Sequence, residues 1–235
     1  MEAIILAGGK ATRLGEVARG MPKALVPVAG HPLAEYQVAQ LARAGVDRVI
    51  VSCAAGQEEL FHDQLSGLGA EIVAVGEPEP LGRGGGLRLA ATRREETGPV
   101  FAVNGDELHD VDLESLLDTH RRRGGAATIA VAPLTAQFGV VELEADDRIS
   151  GFREAPRLPH WVSAGVYVLD EEALERLPES GDHEQSTFPE LARERKLFAF
   201  RHESVWITIN TPKDLLRAEE FYAARPELRP TVARS

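Results

Sequence analysis

The segment from Ala3 to Leu14 reads A-I-I-L-A-G-G-K-A-T-R-L, and P-K-A-L follows it at residues 22–25. The apolar run predicts a short buried strand that ends in a pair of glycines. Because glycine has no side chain, backbone N–H groups there can approach a polyphosphate closely. Lys10, Arg13 and Lys23 supply positive charge in the same segment. The sequence therefore predicts a phosphate-binding loop after the first strand, and the alternative is a bare turn.

The first half of the chain continues this alternation of strands and helices. Apolar runs and helical spacing predict strands at residues 3–6, 48–52, 71–75 and 100–104, and helices at residues 32–45 and 112–123. A glycine run at residues 84–86 is expected to precede a helix over residues 87–94. The alternation predicts a Rossmann-like α/β fold, in which a mostly parallel mixed sheet is flanked by helices.

The second half has a different texture. Shorter strands are predicted at residues 127–132, 139–144, 149–152 and 164–169, followed by strands at 197–200 and 205–209 and a closing helix over 212–222. We expect the shorter strands to form a smaller mixed sheet inserted in this half. The length of 235 residues fits a single domain, which we place at residues 1–225. Residues 226–235 are expected to be a flexible tail.

Charge and composition exclude several classes of protein. The formal net charge of −11 argues against nucleic-acid binding, since that needs clustered basic residues. No apolar run approaches the roughly 20 residues of a membrane span, so we expect no membrane partner. Cys53 is the single cysteine, and its place in an apolar strand predicts a buried thiol. Together these features favour a cytoplasmic protein.

A second candidate site residue follows the strand at residues 100–104. The chain continues there as N-G-D, so that Asp106 comes just after the carboxyl end of a buried strand, where open α/β sheets bind ligands. Asp106 is therefore a candidate ligand-binding residue, and the alternative is a turn aspartate that caps the next helix.

The loop and the downstream lysine resemble the signature of the sugar-1-phosphate nucleotidylyltransferases. That signature is L-A-G-G-x-G-T-R-L followed by P-K-P-L-x-P-V-x-G-x-P-L, and residues 6–14 and 22–33 follow it with Ala11 in place of its third glycine. The resemblance implies the fold of nucleotide-diphospho-sugar transferases and A-type glycosyltransferases. It also implies a Mg²⁺-dependent reaction between a nucleoside triphosphate and a sugar 1-phosphate, with mannose- or heptose-1-phosphate guanylyltransferases as the most similar members.

The resemblance assigns residues 1–125 to the nucleotide and gives roles to their side chains. Arg13, Lys23 and Asp106 are the implied catalytic residues, which neutralise pyrophosphate, steady the phosphates and hold Mg²⁺ respectively. Residues 76–86 resemble a segment that lines the base pocket, and a carboxylate there, Glu77, only accepts hydrogen bonds, as the adjacent N–H donors of guanine require. The implied nucleotide-binding residues are Leu6, Ala7, Gly8, Gly9, Lys10, Ala11, Thr12, Glu77, Pro80, Gly82 and Gly105.

Residues 126–225 correspond to the sugar-binding half in this resemblance. Three segments, at residues 138–142, 152–156 and 163–167, match family segments in the expected order, and they imply substrate contacts from Gly139, Glu142, Glu154 and Ser163. A lysine that meets the sugar phosphate in the family is replaced by Ala155. Thr208 stands where the family has its second metal-binding aspartate, so it is a doubtful metal ligand.

The expected reaction is transfer of a nucleoside monophosphate, with GMP favoured, to a sugar 1-phosphate. A homo-oligomer is possible. Three alternatives remain open: a nucleotidyltransferase for a non-sugar acceptor such as molybdopterin, a nucleotide-sugar-binding regulatory protein that has lost catalysis, and a glycosyltransferase of related fold. The departures at Ala11, Ala155 and Thr208 motivate the second alternative.

Overall fold

A computed structural model describes residues 1–9, 11–18 and 20–230, with the side chains of residues 12, 16 and 17 outside the description. Its strands are β1 (Glu2–Leu6), β2 (Pro27–Val28), β3 (His31–Pro32), β4 (Arg48–Ala54), β5 (Glu71–Glu77), β6 (Val100–Asn104), β7 (Glu107–His109), β8 (Ala127–Thr135), β9 (Val140–Leu143), β10 (Ile149–Arg153), β11 (Arg157–Leu169), β12 (Leu197–Arg201) and β13 (Trp206–Thr208). Its α-helices are α1 (Leu33–Arg43), α2 (Glu58–Leu65), α3 (Gly82–Ala91), α4 (Leu113–Arg123), α5 (Glu171–Glu175), α6 (Thr187–Arg193) and α7 (Pro212–Ala223), and 3-10 turns lie at Thr12–Ala18, Lys23–Leu25 and Pro226–Leu228.

A seven-stranded mixed sheet forms the centre of the fold and confirms the predicted α/β class. Its strand order is β12-β8-β11-β6-β1-β4-β5. Strands β6, β1, β4 and β5 are parallel, β12 is parallel to β8, and β11 is antiparallel to both of its neighbours. The chain moves from β1 outward to β4 and β5, and then returns to the other side of β1 as β6. Such a reversal opens a crevice at the carboxyl ends of the strands.

The strands of the second half are arranged differently from the expectation. Residues 127–135 and 157–169, as β8 and β11, join the central sheet, because their buried apolar runs extend it beyond β6. Of the four shorter strands, β9 and β10 form a separate sheet, which is antiparallel rather than mixed, and β13 pairs with β7 outside the central sheet. The two halves of the chain therefore share one sheet.

The glycine run lies inside helix α3 rather than before it. The helix begins at Gly82 and ends at Ala91, not at 87 and 94. A Cβ on Gly84 would lie 2.6 Å from Cγ of Pro178, and one on Gly85 would lie 2.6 Å from the carbonyl oxygen of Glu179. Close packing against residues 178 and 179 thus requires glycine. This requirement outweighs the cost of placing glycine in a helix, which is roughly 1 kcal/mol per residue relative to alanine.

The ends of helices α4 and α7 follow their sequence signals. Asp112 accepts a hydrogen bond from the Ser115 backbone at the start of α4, and Gly124 ends that helix in a left-handed conformation. Thr211 and Asp214 form a capping box at the start of α7, so Asp214 braces that helix. The predicted tail begins with a 3-10 turn, and Arg229 donates to the Tyr222 carbonyl. Residues 231–235 lie outside the described part of the chain.

None of the helices within the described ranges has the length and apolar character needed to cross a membrane.

One histidine is fully buried on the face of the sheet covered by α3, α5 and α6. The ring of His183 contacts the rings of Tyr167 and Phe188 edge-on, with centroids 5.4 Å and 4.7 Å away. Within the described ranges, neither of its ring nitrogens has a hydrogen-bond partner. Burial lowers the pKa of His183 to about 4, so the ring is neutral in the folded protein.

Replacing His183 with phenylalanine should reduce the loss of stability in acid. Because its pKa is lowered by folding, His183 destabilises the fold as pH falls below the unfolded value of about 6.5 towards 4, by about 2 kcal/mol at pH 5. The difference in unfolding free energy between pH 8 and pH 5, measured with urea, should shrink by that amount in His183→Phe. The exposed His62→Phe is the control and should keep the wild-type difference. An unchanged pH dependence in His183→Phe would contradict the assignment.

Candidate functional site

A central cleft of about 290 Å³ opens at the carboxyl ends of β1, β5 and β6. It brings together most of the predicted nucleotide and catalytic residues. The lining residues are Leu6, Ala7, Gly8, Gly9, Lys23, Ala24, Glu77, Pro80, Gly82, Arg83, Asn104, Gly105 and Asp106. Of these, Ala24, Arg83 and Asn104 were not among the predicted site residues.

The floor of the central cleft is formed where β1 and β6 meet. Leu6 and Asn104 are register partners in these parallel strands, and the Gly105 N–H donates to the Leu6 carbonyl at 2.9 Å. A Cβ on Gly105 would lie 2.5 Å from that same oxygen. Glycine is therefore required at position 105, and this close approach fixes where the next residue, Asp106, leaves the sheet.

Lys23 joins three distant parts of the chain beside the floor of the cleft. Its ammonium group donates to Oδ2 of Asp106 at 2.6 Å and to Oδ1 of Asn210 at 2.8 Å. The Lys23 backbone N–H also donates to the Gly9 carbonyl at 3.2 Å, which ties the 3-10 turn at Lys23–Leu25 to the glycine loop. A positive charge, a carboxylate and a neutral oxygen are thus held together at one end of the cleft.

Glu77 also lines the cleft, at the end of β5. Its carboxylate accepts hydrogen bonds from the Ser52 hydroxyl at 2.8 Å and from the Leu81 backbone N–H at 3.1 Å. A Cβ on Gly8 would lie 2.8 Å from its Oε1 atom, so the glycine loop passes directly against the carboxylate. Glu77 is therefore half-buried against the loop and does not simply face solvent.

A buried carboxylate that the sequence analysis missed lies next to Asp106. Glu107 on β7 is only 6% exposed, and its Oε2 atom accepts a hydrogen bond from the Thr208 hydroxyl at 2.7 Å. Burial, with a further contribution from the negative charge of Asp106, raises its pKa to about 8. The run N-G-D-E carried a signal for Glu107, because a second acidic residue follows Asp106 directly. At position 208, where the family has its second metal-binding aspartate, this chain has Thr208.

The oxygen atoms at this end of the cleft suit a hard divalent cation. Asp106, Glu107 and Asn210 offer carboxylate and amide oxygens, and Asn104 has a buried Oδ1 atom without a hydrogen-bond partner in the described part of the chain. Among residues 1–9, 11–18 and 20–230, no group of three or more His, Cys, Asp or Glu side chains is arranged as a metal site. One or two carboxylates completed by substrate phosphates is the arrangement typical of Mg²⁺, so the residues fit this ion.

The remaining loop residues line a second cavity of about 350 Å³, which we call the loop cavity. It lies between the glycine loop, the 3-10 segment Thr12–Ala18 and the end of β4. Ala11 lines the loop cavity, and Gly8 and Gly9 separate it from the central cleft because they line both. Arg13 is exposed on the 3-10 segment and does not line the central cleft. Lys10 and the side chain of Thr12 lie outside the described residues.

The residues predicted to meet the sugar do not line the central cleft in this structure. Glu142 is exposed and pairs with Arg153 at 3.3 Å, and Glu154 is exposed just after β10. Gly139 lies under the ring of Phe152, since a Cβ there would be 2.4 Å from its Cζ atom. These residues belong to the β9–β10 hairpin and its flanks, which lie outside the lining of the central cleft. The sequence alone could not predict that separation.

Ser163 is linked to the cleft through one tyrosine. The Ser163 hydroxyl and the Asn104 amide each lie 3.4 Å from the hydroxyl of Tyr167, and that hydroxyl donates to Glu184 at 3.1 Å. Arg83, which lines the cleft, pairs with Glu184 at 2.7 Å and also with Asp182. A continuous polar network therefore connects Arg83, which lines the cleft, with the second half of the chain.

The sequence profile of the nucleotidyl transferase family matches residues 2–225. The chain belongs to that family. Similar curated proteins include a probable mannose-1-phosphate guanylyltransferase 2 of Arabidopsis thaliana, 33% identical over 94% of this chain, and a mannose-1-phosphate guanylyltransferase of Mycobacterium tuberculosis, 34% identical over 92%. The chain spans 65% and 63% of the lengths of these relatives.

Solved structures of nucleotidyltransferases share the fold. A putative glucose-1-phosphate thymidylyltransferase from Bacillus anthracis superposes with a TM-score of 0.75 at 17% identity, covering 94% of this chain and 95% of the other. HddC from Yersinia pseudotuberculosis, complexed with GMP-PN, gives 0.71 at 23% identity, covering 94% and 99%. The family and the fold implied by the motifs are thereby confirmed.

Replacing Gly105 with alanine should destabilise this nucleotidyl transferase, since the added Cβ must push against the Leu6 carbonyl. We expect a loss of roughly 1–3 kcal/mol in unfolding free energy, the range typical of overpacking. Gly9→Ala is the matched control in the same cleft. Apart from its chain neighbours, no atom of the described residues lies within 4 Å of the added Cβ, and the variant should stay within about 0.5 kcal/mol of wild type. Urea unfolding of both variants measures this, and equal stabilities would show that the close approach is not enforced.

Proposed function

We propose that the chain transfers a nucleoside monophosphate, with GMP preferred, from a nucleoside triphosphate to a sugar 1-phosphate. An oxygen of the sugar phosphate attacks the α-phosphorus, the bond from that phosphorus to the bridging oxygen breaks, and pyrophosphate leaves. The observation that supports this most strongly is the placement of Lys23 and Asp106 at the end of a cleft that the glycine loop lines. Two relatives named as mannose-1-phosphate guanylyltransferases support the substrate class.

Such a reaction is accelerated mainly by positioning the two substrates and by stabilising the negative charge on the phosphates, so no side-chain nucleophile is required. The backbone N–H groups of Gly8 and Gly9 bind the triphosphate, and Lys23 binds the α-phosphate and the incoming phosphate. Arg13 neutralises the departing pyrophosphate when the 3-10 segment approaches the nucleotide. Mg²⁺, held by Asp106 with help from neighbouring oxygens, supplies further positive charge to the phosphate oxygens.

Guanine is the base that best complements the end of the cleft at Glu77. The carboxylate there is anchored by Ser52 and by the Leu81 backbone, so it presents acceptor oxygens in a fixed position. Guanine offers adjacent N–H donors on its Watson–Crick edge, whereas uracil and thymine offer a single donor between two acceptors. Pro80 and Gly82 line the same end and leave room for the ring.

We place the nucleotide on residues 1–125 and the sugar on residues 126–225. In this arrangement Gly139, Glu142, Glu154 and Ser163 meet the sugar once the β9–β10 hairpin closes towards the cleft. Thr208 contacts the cation only indirectly, since its hydroxyl is already bound to Glu107. We also propose that the protein is located in the cytoplasm and that it associates with itself.

Pyrophosphate release across a panel of nucleoside triphosphates and acceptors tests the function directly. We expect release only with a sugar 1-phosphate and a divalent cation present, fastest with GTP and mannose or heptose phosphates. Release with molybdopterin alone would favour the non-sugar acceptor. Nucleotide binding without release, for any combination, would favour a regulatory protein.

Replacing Lys23 with methionine should lower the turnover number by roughly 10²–10³-fold, the usual effect of removing one group that stabilises transition-state charge. Methionine keeps the length of the side chain but cannot bind phosphate, Asp106 or Asn210. The control is Lys213→Met, which removes an exposed ammonium on α7. Steady-state pyrophosphate release measures both variants. A Lys23→Met enzyme as active as Lys213→Met would exclude the role of Lys23.

Replacing Glu77 with glutamine should weaken the preference for GTP over UTP. An amide presents one acceptor instead of two and places an NH₂ group opposite a guanine donor, which should reduce the ratio of kcat/KM values by about tenfold, or 1.4 kcal/mol. Glu79→Gln, an exposed change two residues away, should leave the ratio unchanged. If Glu77→Gln keeps the wild-type ratio, another residue selects the base.

A further inference from the structure

The structure offers a physical reason why Thr208 can stand where the family has an acidic metal ligand. Strands β7 and β13 are antiparallel, and Thr208 is directly paired with Glu107 in their register. Side chains of directly paired residues on antiparallel strands start about 5 Å apart. A carboxylate on either member of this pair therefore reaches the same place, and glutamate is one methylene longer than aspartate.

We propose that Glu107 supplies the second carboxylate of the divalent-cation site next to Asp106, transposed across one rung of the β7–β13 ladder from position 208. This inference rests on the proposed function, since it concerns the cation of that reaction. It assigns the cation contact to a residue that the family pattern does not mark, and it gives Thr208 the role of orienting Glu107 by donating to its Oε2 atom.

The backbone around this pair is held on both sides. The Ile209 N–H donates to the Asp106 carbonyl at 2.9 Å, which extends the ladder by one residue towards the cleft. The Gln37 side chain donates to the Glu107 carbonyl at 2.7 Å from helix α1. Residues 106 and 107 are thus fixed relative to residues 208 and 209, as a cation site needs.

Within the described residues, no charged side chain is paired directly with Glu107. Glu107 is only 6% exposed, yet across the described residues no Lys, Arg or His nitrogen lies within 4.0 Å of its carboxylate. A buried carboxylate without a paired charge is unfavourable. The nearby Lys23 ammonium is bound instead to Asp106 and Asn210. A divalent cation beside Asp106 would provide the charge that Glu107 lacks.

A purely structural role makes a different prediction from a role in cation binding. If Glu107 served only to bond Thr208, then Glu107→Gln would be neutral, because an amide oxygen accepts the same hydrogen bond. If Glu107 serves the cation, then the loss of charge matters even though the shape is kept. Moving the carboxylate back to position 208 should then restore binding.

Mn²⁺ binding to the full chain, followed by electron paramagnetic resonance of the free ion at pH 8.5, separates these cases. We expect wild type to bind one Mn²⁺ in the cleft, Glu107→Gln to bind it at least about tenfold more weakly, and the double variant Glu107→Gln/Thr208→Asp to recover most of the affinity. Glu35→Gln, a buried glutamate on α1 that pairs with His31, is the matched control and should bind like wild type. Circular dichroism confirms that each variant is folded.

Wild-type affinity in a folded Glu107→Gln variant would overturn the inference and leave the proposed function intact, provided that wild type releases pyrophosphate. Failure of the double variant to recover affinity would likewise contradict a transposed carboxylate. A wild-type chain that neither binds Mn²⁺ nor releases pyrophosphate would instead overturn the proposed function and the cation site together.

Discussion

The ammonium group of Lys23, held between the carboxylate of Asp106 and the amide oxygen of Asn210, is the contact on which the site depends. It joins the glycine loop, the end of β6 and the segment after β13, which are far apart in the sequence. Removing a lysine and an aspartate from water is costly unless both are well bonded, and the third partner, Asn210, helps to satisfy the ammonium. This contact therefore holds together the three segments that surround the cleft.

The same contact reconciles the acidity of the chain with the anionic substrates of the proposed reaction. A net charge of −11 repels phosphate in general, so positive charge must be concentrated where it is needed. Lys23 does this inside the cleft, where it is only 13% exposed and less screened by solvent. In the proposed reaction, a triphosphate and its cation take over the partners of Lys23, with the cation meeting Asp106 and the phosphate meeting Lys23.

Local signals predicted the parts of the site that lie within one segment. The glycine loop, Lys23 and Asp106 each follow a buried apolar run or a turn motif, and the structure brings them to one cleft. The sequence analysis did not identify Glu107, because its contact with Thr208 depends on pairing between two three-residue strands about 100 residues apart. No local sequence pattern reveals that pairing. The glycines of α3 were predicted to precede the helix for a similar reason, since the contacts with residues 178 and 179 that place them inside it are distant in the sequence. The segments predicted to bind the sugar do not line the cleft, because the place of Gly139, Glu142 and Glu154 depends on the position of the β9–β10 hairpin.

A crystal structure of the chain with a non-hydrolysable GTP analogue, mannose 1-phosphate and Mn²⁺ tests the assignment of the central cleft most directly. We predict the guanine edge against Glu77, the phosphates against Gly8 and Gly9, and the Lys23 ammonium moved from Asp106 to a phosphate oxygen. Nucleotide bound instead in the loop cavity beside Ala11, with the Lys23–Asp106 contact unbroken, would contradict it.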